Sequence, residues 1–341
     1  MMRKTMDAQF IRNGWYAAAW SEEITPALTE RWICGVPLVF FRDRDGRAVA
    51  LDGTCPHRQY PLALGRLKDD VIECGYHGVA FGSDGRCVRV PGAEHPQAAM
   101  RVRDYPLVER GGLIWIWPGD AERADPAKIV DWWLTDPGWV SVHDTKIVNA
   151  RQSLVIDNLM DLTHEASLHA TTLGNPAVIE TPLITQTLDD CVRASRMMLD
   201  VPPPGLFAQM GLSGTIDRGQ IAEFHPPGLC LTIVTAKPRQ ENTPTLRWTV
   251  LHALTPETED RTRYLWATAR DYALDDERIS NIWLTQTNTI FDQDVAALEA
   301  QEQRLRTAPQ PIELSVATDA GALAARKLQR ERLRAEQLAA R

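Results

Sequence analysis

The chain has 341 residues, 44% of them hydrophobic and 24% charged, with a formal net charge of −8, a globular mix long enough for about two domains. The acidic balance argues against nucleic acid as a partner, and the longest apolar runs, such as Leu113-Ile-Trp-Ile-Trp117, fall far short of the ~20 residues a membrane helix needs. The segment Met1 to Asp7 has two basic residues and no apolar stretch behind them, so no secretory signal is expected and the expected location is the cytoplasm.

In chain order, the first part reads as short strands punctuated by turns. Val36-Pro-Leu-Val-Phe-Phe41 is a β-rich run, Arg42-Asp-Arg-Asp-Gly-Arg47 carries Asp-Gly turn chemistry, and Ala48-Val-Ala-Leu51 returns; together they predict a hairpin. Phe81-Gly-Ser-Asp-Gly-Arg86 before Cys87-Val-Arg-Val90 repeats the logic, and Leu113 to Trp117 is a further strand, closed by Pro118. Such spacing predicts a small β-barrel or sandwich. Gly119 to Pro126 is a polar connector, which predicts domains over 1–125 and 126–341. Beyond it, Leu154 to Ala170 has helical spacing. Residues 183–270 return to β-like runs, among them Leu229 to Thr235 and Leu246 to His252. Asp275-Asp-Glu277 opens a long helix through Leu305, with acids at the dipole-favoured end, and Asp319 to Arg341 is a second helix former. Strand and helix blocks without βαβ alternation predict an α+β protein.

Six cysteines stand at 34, 55, 74, 87, 191 and 230, and only Cys55 and Cys74 have a histidine within the next three residues. The first metal constellation is therefore Cys55-Pro-His57, sixteen residues, then Cys74-Gly-Tyr-His77. A structural zinc site also takes two Cys and two His, but usually pairs Cys with Cys and His with His at short spacing. Here each tight pair is mixed. That suits a two-iron cluster in which two thiolates hold one iron and two imidazoles the other. Neutral nitrogen ligands raise the potential of such a cluster above that of an all-Cys one, which predicts electron transfer.

The second constellation is Asp157-Asn-Leu-Met-Asp161-Leu-Thr-His164-Glu-Ala-Ser-Leu-His169. Histidines five apart lie roughly 140° apart on an ideal helix at 100° per residue. They share a metal only if the helix breaks, bulges or ends between them; otherwise they are ordinary polar histidines. A delivered electron needs an acceptor, and two His with one carboxylate is the usual ligand set for ferrous iron that activates O2. The carboxylate can come from far away in sequence: Asp292 and Asp294 in Phe291-Asp-Gln-Asp-Val295 are both candidates, and helix periodicity alone does not choose.

With these residues in view the chain resembles the Rieske non-haem iron oxygenase α-subunits of the vanillate O-demethylase type, including dicamba and toluenesulfonate monooxygenases. The carrying segments are Arg12-Asn-Gly-Trp-Tyr16, Cys55-Pro-His-Arg58, Cys74-Gly-Tyr-His-Gly78, Trp115-Ile-Trp-Pro-Gly-Asp120, Asp157 to His164 and Leu254-Thr-Pro-Glu-Thr-Glu259. The resemblance implies an all-β Rieske domain followed by a catalytic antiparallel sheet flanked by helices, of helix-grip (START-like) form. It implies Cys55, Cys74, His57 and His77 as [2Fe–2S] ligands, and His164, His169 and Asp294 as ligands of a mononuclear Fe(II). It implies Asp161 as a bridge, its carboxylate joining a triad histidine to a cluster histidine of a neighbouring subunit, in a head-to-tail homotrimer where the centres of one chain lie too far apart. Asn158 is implied near the iron and His252 as a substrate contact; a histidine ending a β-run is also commonly structural. Arg218 could pair with an aromatic carboxylate or lie on the surface. The Pro- and Gly-rich residues 201–228 line substrate pockets in relatives and depart from them here.

The implied activity is that of an O2-using monooxygenase of aromatic compound catabolism. It takes electrons from NAD(P)H through a separate flavin and iron–sulfur reductase or a ferredoxin, since no Gly-rich dinucleotide fingerprint follows a strand here. It O-demethylates a substituted aromatic acid such as vanillate. The alternatives are ring hydroxylation or dihydroxylation on the same scaffold, and a Rieske electron carrier without catalytic iron.

Overall fold

A computed structural model describes residues 9–132, 136–240, 242–309 and 312–339; the segment Met1 to Asp7 lies outside them. Contacts divide the chain into one unit of Met1–Ile129 with Thr255–Glu259 and a second of Val130–Leu254 with Asp260–Arg341.

The first unit is all β apart from short 3-10 turns. Its strands are β1 (Tyr16–Trp20), β2 (Thr29–Ile33), β3 (Val36–Arg42), β4 (Ala48–Asp52), β5 (Arg66–Lys68), β6 (Val71–Glu73), β7 (Ala80–Phe81), β8 (Cys87–Arg89), β9 (Leu107–Arg110) and β10 (Leu113–Ile116). They form three antiparallel sheets, ordered β1-β10-β9, β2-β3-β4 and β5-β6-β7-β8. The predicted hairpin is β3–β4, its Asp-Gly turn bending at Gly46 with φ 78°. β3 divides the interior. Leu38 and Phe40 enter one apolar cluster with Tyr16, Ile33 and Ile114, while Val39 and Phe41 enter another with Leu51, Ile72 and Phe81. Alternation with period two sends successive side chains to opposite faces, so a strand buried on both faces serves two cores. Cys55 and Cys74 belong to the second core, which places their loops on a rigid base.

The second unit is one seven-stranded antiparallel sheet with helices against it. Its elements are β11 (Val140–Val148), α1 (Gln152–Met160), α2 (Ala177–Glu180), β12 (Ile184–Thr187), β13 (Val192–Val201), α3 (Gly205–Gln209), β14 (Ile216–His225), β15 (Leu229–Pro238), β16 (Leu246–Thr258), β17 (Arg261–Arg270), α4 (Glu277–Thr307) and α5 (Ala320–Ala339). Strand order is β11-β17-β16-β15-β14-β13-β12. From β12 to β17 this is a meander. β11 lies at the opposite edge, so the chain between β11 and β12 must cross the whole sheet, and that crossing carries α1, His164 and His169.

α4 opens with Asp276 accepting a bond from Ile279 N at its N-cap. It buries one stripe of Ile279, Trp283, Thr287, Ile290, Phe291, Asp294, Leu298 and Glu302, the 3-and-4 spacing of a helix face turned to a core. Two charged residues on an apolar stripe need partners. Glu302 takes Arg151 Nε at 2.7 Å and Nη2 at 2.6 Å, fastening the start of α1 to α4. α5 approaches α1 so closely that a Cβ on Gly321 would stand 2.6 Å from the Met160 carbonyl oxygen, and Arg326 Nε lies 2.8 and 2.9 Å from the two carboxylate oxygens of Asp157. Each charged hydrogen bond of this kind contributes about 1.5–3 kcal/mol. Among the described residues no helix is long and apolar enough to cross a membrane.

Candidate metal centres and active site

The two Cys–His motifs fold into matching loops. Cys55 N donates to Tyr60 O at 2.9 Å and Gln59 N to Cys55 O at 2.9 Å. Cys74 N donates to Val79 O at 2.8 Å and Gly78 N to Cys74 O at 3.0 Å. The fourth residue after each cysteine takes a left-handed conformation, Gln59 at φ 58° and Gly78 at φ 69°. The thiols are buried, while His57 and His77 are exposed with ring centroids 4.6 Å apart. Burial pushes the Cys55 thiol above its ordinary value; the backbone amides of His57 and Arg58 work against that, and the Cys74 thiol is a further hydrogen-bonding neighbour. Two buried soft donors, two exposed imidazoles and the amides of His57 and Arg58 directed at the Cys55 sulfur fit the mixed ligand set of a Rieske [2Fe–2S] group.

In the second unit the α-helix ends before two histidines that would have to converge to share a metal. α1 ends at Met160, and Leu162–Ala166 forms a 3-10 turn with Asp161 as its N-cap. The ring centroids of His164 and His169 stand 5.2 Å apart. Asp294 Oδ1 lies 3.5 Å from His164 Nε2 and 3.1 Å from His169 Nε2, and one ligand atom from each residue falls within 4.8 Å of the others. The other ring nitrogens are already bonded, His164 Nδ1 to the Asp161 carbonyl at 2.7 Å and His169 Nδ1 to Gln293 Oε1 at 2.7 Å. A carbonyl oxygen only accepts, so Nδ1 of His164 and Nδ1 of His169 each carry a hydrogen, which leaves Nε2 of the neutral ring as the nitrogen that could hold a metal. Burial lowers the His169 pKa, but the Asp294 carboxylate and Gln293 outweigh it and the net shift is upward. Two imidazole nitrogens and one carboxylate converging from one side fit a metal with open positions.

The neighbours sort themselves by geometry. Asn158 Nδ2 donates to Asp294 Oδ1 at 3.1 Å. Asp292, the rival carboxylate, is exposed and pairs with Lys146 at 2.6 Å. Asp161 meets His164 through its backbone carbonyl; its carboxylate Oδ1 instead accepts from Thr163 N at 2.9 Å. That corrects half of the expected bridge, in which the carboxylate was to hold the triad histidine. Arg218 is neither a surface residue nor a free cation: it is 1% exposed and bonds Glu165 Oε2 at 2.8 Å and the Leu173 carbonyl at 3.1 Å. Much of the Pro- and Gly-rich stretch becomes α3 and the inner strand β14. Gln293 and Glu165 were missed by sequence reasoning. A polar residue flanking each ligand is the only local signal, and it is common in any helix.

His252 is 2% exposed, with Nε2 3.0 Å from Thr232 Oγ1 and Nδ1 2.5 Å from the Tyr264 hydroxyl. A substrate contact there requires release of one of these partners. Burial lowers the His252 pKa from 6.5 to about 3, against a smaller upward pull from Asp294. Between those values the unfolded chain takes a proton that the native imidazole refuses, so stability falls as pH drops through this window and levels off below it. Urea-melt midpoints recorded against pH are expected to show a shallower acid limb for His252→Asn. A limb as steep as the parent's contradicts a buried neutral His252.

Comparison with known proteins agrees with the geometry. Residues 14–106 match the Rieske [2Fe-2S] domain and residues 148–335 the vanillate O-demethylase oxygenase C-terminal domain. The chain is 35% identical to the iron-sulfur subunit of the toluene-4-sulfonate monooxygenase system of Comamonas testosteroni, covering 96% of this chain and 98% of that protein. It is 34% identical to the vanillate O-demethylase oxygenase subunit of a Pseudomonas species, over 97% of each. Its fold superposes on crystalline dicamba monooxygenase bound to 3,6-dichlorosalicylic acid with a TM-score of 0.89 at 30% identity, covering 96% of this chain and 99% of that one. The Cys/His loops, the His164–His169–Asp294 cluster and these matches along nearly the whole chain place it in one family: it belongs to the Rieske non-haem iron oxygenases, as an oxygenase component of the vanillate O-demethylase type.

Proposed function

We propose that this chain removes a methyl group from a methoxy-substituted aromatic acid, releasing a phenol and formaldehyde. The observation that carries the reading is the convergence of His164 Nε2, His169 Nε2 and Asp294 Oδ1 within 4.8 Å, with each histidine's other nitrogen bonded elsewhere. Cys55 and Cys74 would hold one iron of the cluster, His57 and His77 the other, and His164, His169 and Asp294 the mononuclear iron. When bound, these groups supply single electrons and O2 activation at open coordination positions.

The remaining steps belong to the chain's own residues. Gln293 and the Asp161 carbonyl fix the tautomer and tilt of the two histidines. Asn158 holds the Asp294 oxygen that faces both. Among the described residues the Asp161 carboxylate has one oxygen anchored on Thr163 N, and its second oxygen stands outside that bond. That second oxygen is the proposed acceptor for a cluster histidine of a neighbouring copy in a head-to-tail trimer. His252, with Tyr264 and Thr232, is the proposed polar edge of the substrate pocket. Electrons would come from NAD(P)H in the cytoplasm through a separate flavin and iron–sulfur reductase or a ferredoxin.

The relatives named for vanillate, dicamba and toluene-4-sulfonate support an anionic aromatic substrate whose methyl carbon is attacked. Incubating the iron-loaded chain and a matching reductase with a panel of methoxy- and methyl-substituted aromatic acids is expected to give formaldehyde and a phenol in equal amounts from a methoxy acid. Ring-hydroxylated product without formaldehyde from every methoxy acid sinks the demethylase reading.

A further inference from the structure

His164 lies in the 3-10 turn Leu162–Ala166 and His169 in the turns after it, and the hydrogen bonds of this stretch are local. The His169 carbonyl collects the amides of Thr172, Leu173 and Gly174 at 2.9–3.0 Å, and the His164 carbonyl those of Ser167 and Leu168 at 2.8–3.0 Å. Two short turns of this kind do not fix the distance between their side chains to the tolerance a metal site needs, about 0.5 Å. Something outside the segment has to hold it.

The residue of the first turn that reaches into the sheet is Glu165, 4% exposed. Both carboxylate oxygens are held by the inner face of β14: Oε2 by Arg218 Nη2 at 2.8 Å, and Oε1 by Gln220 Nε2 at 2.7 Å. Arg218 and Gln220 are each 1% exposed. Arg218 also reaches past Glu165 to the Leu173 carbonyl with Nη1 at 3.1 Å, and its guanidinium lies 4.9 Å over the Phe207 ring. One side chain of the sheet thus grips the crossing just after His164 and again just after His169.

Stability alone is a poor account of this arrangement. A buried ion pair roughly breaks even against apolar residues of the same volume, whereas a guanidinium bonded at two nitrogens adds directional specificity.

We propose that Glu165, Arg218 and Gln220 are positioning residues that set the separation of His164 and His169, and hence the affinity and geometry of the iron site; this rests on the ligand set proposed above. Glu165→Gln keeps the shape and removes the charge. In the full-length chain it is expected to raise the Fe(II) dissociation constant of the mononuclear site by about 10–100-fold, the range for lost supports of metal ligands. It is also expected to shift the EPR spectrum of that site with nitric oxide as probe, while the visible absorption of the [2Fe–2S] cluster stays as in the parent. Arg218→Lys keeps the charge but cannot hold Glu165 and Leu173 together, and is expected to fall between parent and Glu165→Gln. A folded Glu165→Gln protein whose dissociation constant stays within about threefold of the parent's overturns the proposal, whatever its melting temperature. Should Glu165→Gln fail to fold, Gln220→Met decides in its place by the same threshold. A parent chain that takes up no mononuclear iron sinks the ligand set, and the clamp with it; a parent that binds it beside indifferent variants sinks the clamp alone.

Discussion

Replacing Asp294 with alanine is expected to strip the mononuclear iron from the chain and leave the two-iron cluster in place. Iron content falls from about three to about two atoms per chain, the cluster absorption is retained, and demethylation drops by more than about 100-fold. The reasoning is local. Among the described residues Asp294 supplies the carboxylate facing both Nε2 atoms, and without it two neutral imidazoles must hold a dication alone. His164 and His169 keep their own supports in the Asp161 carbonyl and Gln293, so the rings stay oriented and the loss is one of ligation. The four cluster residues all lie in the other unit. Asp292→Ala is the matched control. Its carboxylate is 65% exposed and pairs with Lys146, a surface contact contributing about 0–1 kcal/mol, so iron content and turnover should hold. Iron lost from Asp292→Ala and kept by Asp294→Ala reverses the assignment.

Asp161→Asn is expected to slow turnover on the order of 100-fold with all irons bound. Asparagine caps a helical turn about as well as aspartate, so the bond from Thr163 N survives. His164 leans on the Asp161 backbone carbonyl, which the substitution leaves alone. What is lost is the negative charge and one acceptor oxygen, the one not bonded by Thr163 N. Iron analysis and cluster absorption should match the parent. A single-turnover experiment on pre-reduced protein should show slow product formation if the carboxylate links neighbouring subunits. Normal turnover in this variant ends the bridging proposal.

Arg218 shows how far reading from sequence reaches. It stands in a β-run among polar and apolar neighbours, and nothing there distinguishes a substrate clamp, a surface cation and a buried partner for Glu165, fifty-three positions away. The same holds for Asp292 and Asp294. Two acids two apart on a helix differ only in which face the fold turns inward; the stripe of Phe291, Asp294 and Leu298 against the sheet makes that choice. Cys34-Gly35 is a smaller case: its positive φ values of 51° and 78° make the turn joining β2 to β3, which the strand pattern alone did not mark.

What the sequence by itself determined is the pairing of Cys55 with His57 and of Cys74 with His77 at short spacing, the hairpin logic around them, the α+β class and the long helix α4. These depend on residue type and short spacing, which the chain carries locally. Only the tertiary structure decided that Asp294 and not Asp292 faces His164 and His169, a choice the family resemblance implied and helix periodicity did not make, that α1 ends before both histidines, that the Asp161 carbonyl and Gln293 bond their rings, and that His252 is held by Thr232 and Tyr264. Asp294 and Gln293 reach the histidines from α4, more than a hundred positions away, and His252 meets Thr232 and Tyr264 on the neighbouring strands β15 and β17. Such contacts are set by how packed faces meet, which no window of sequence contains.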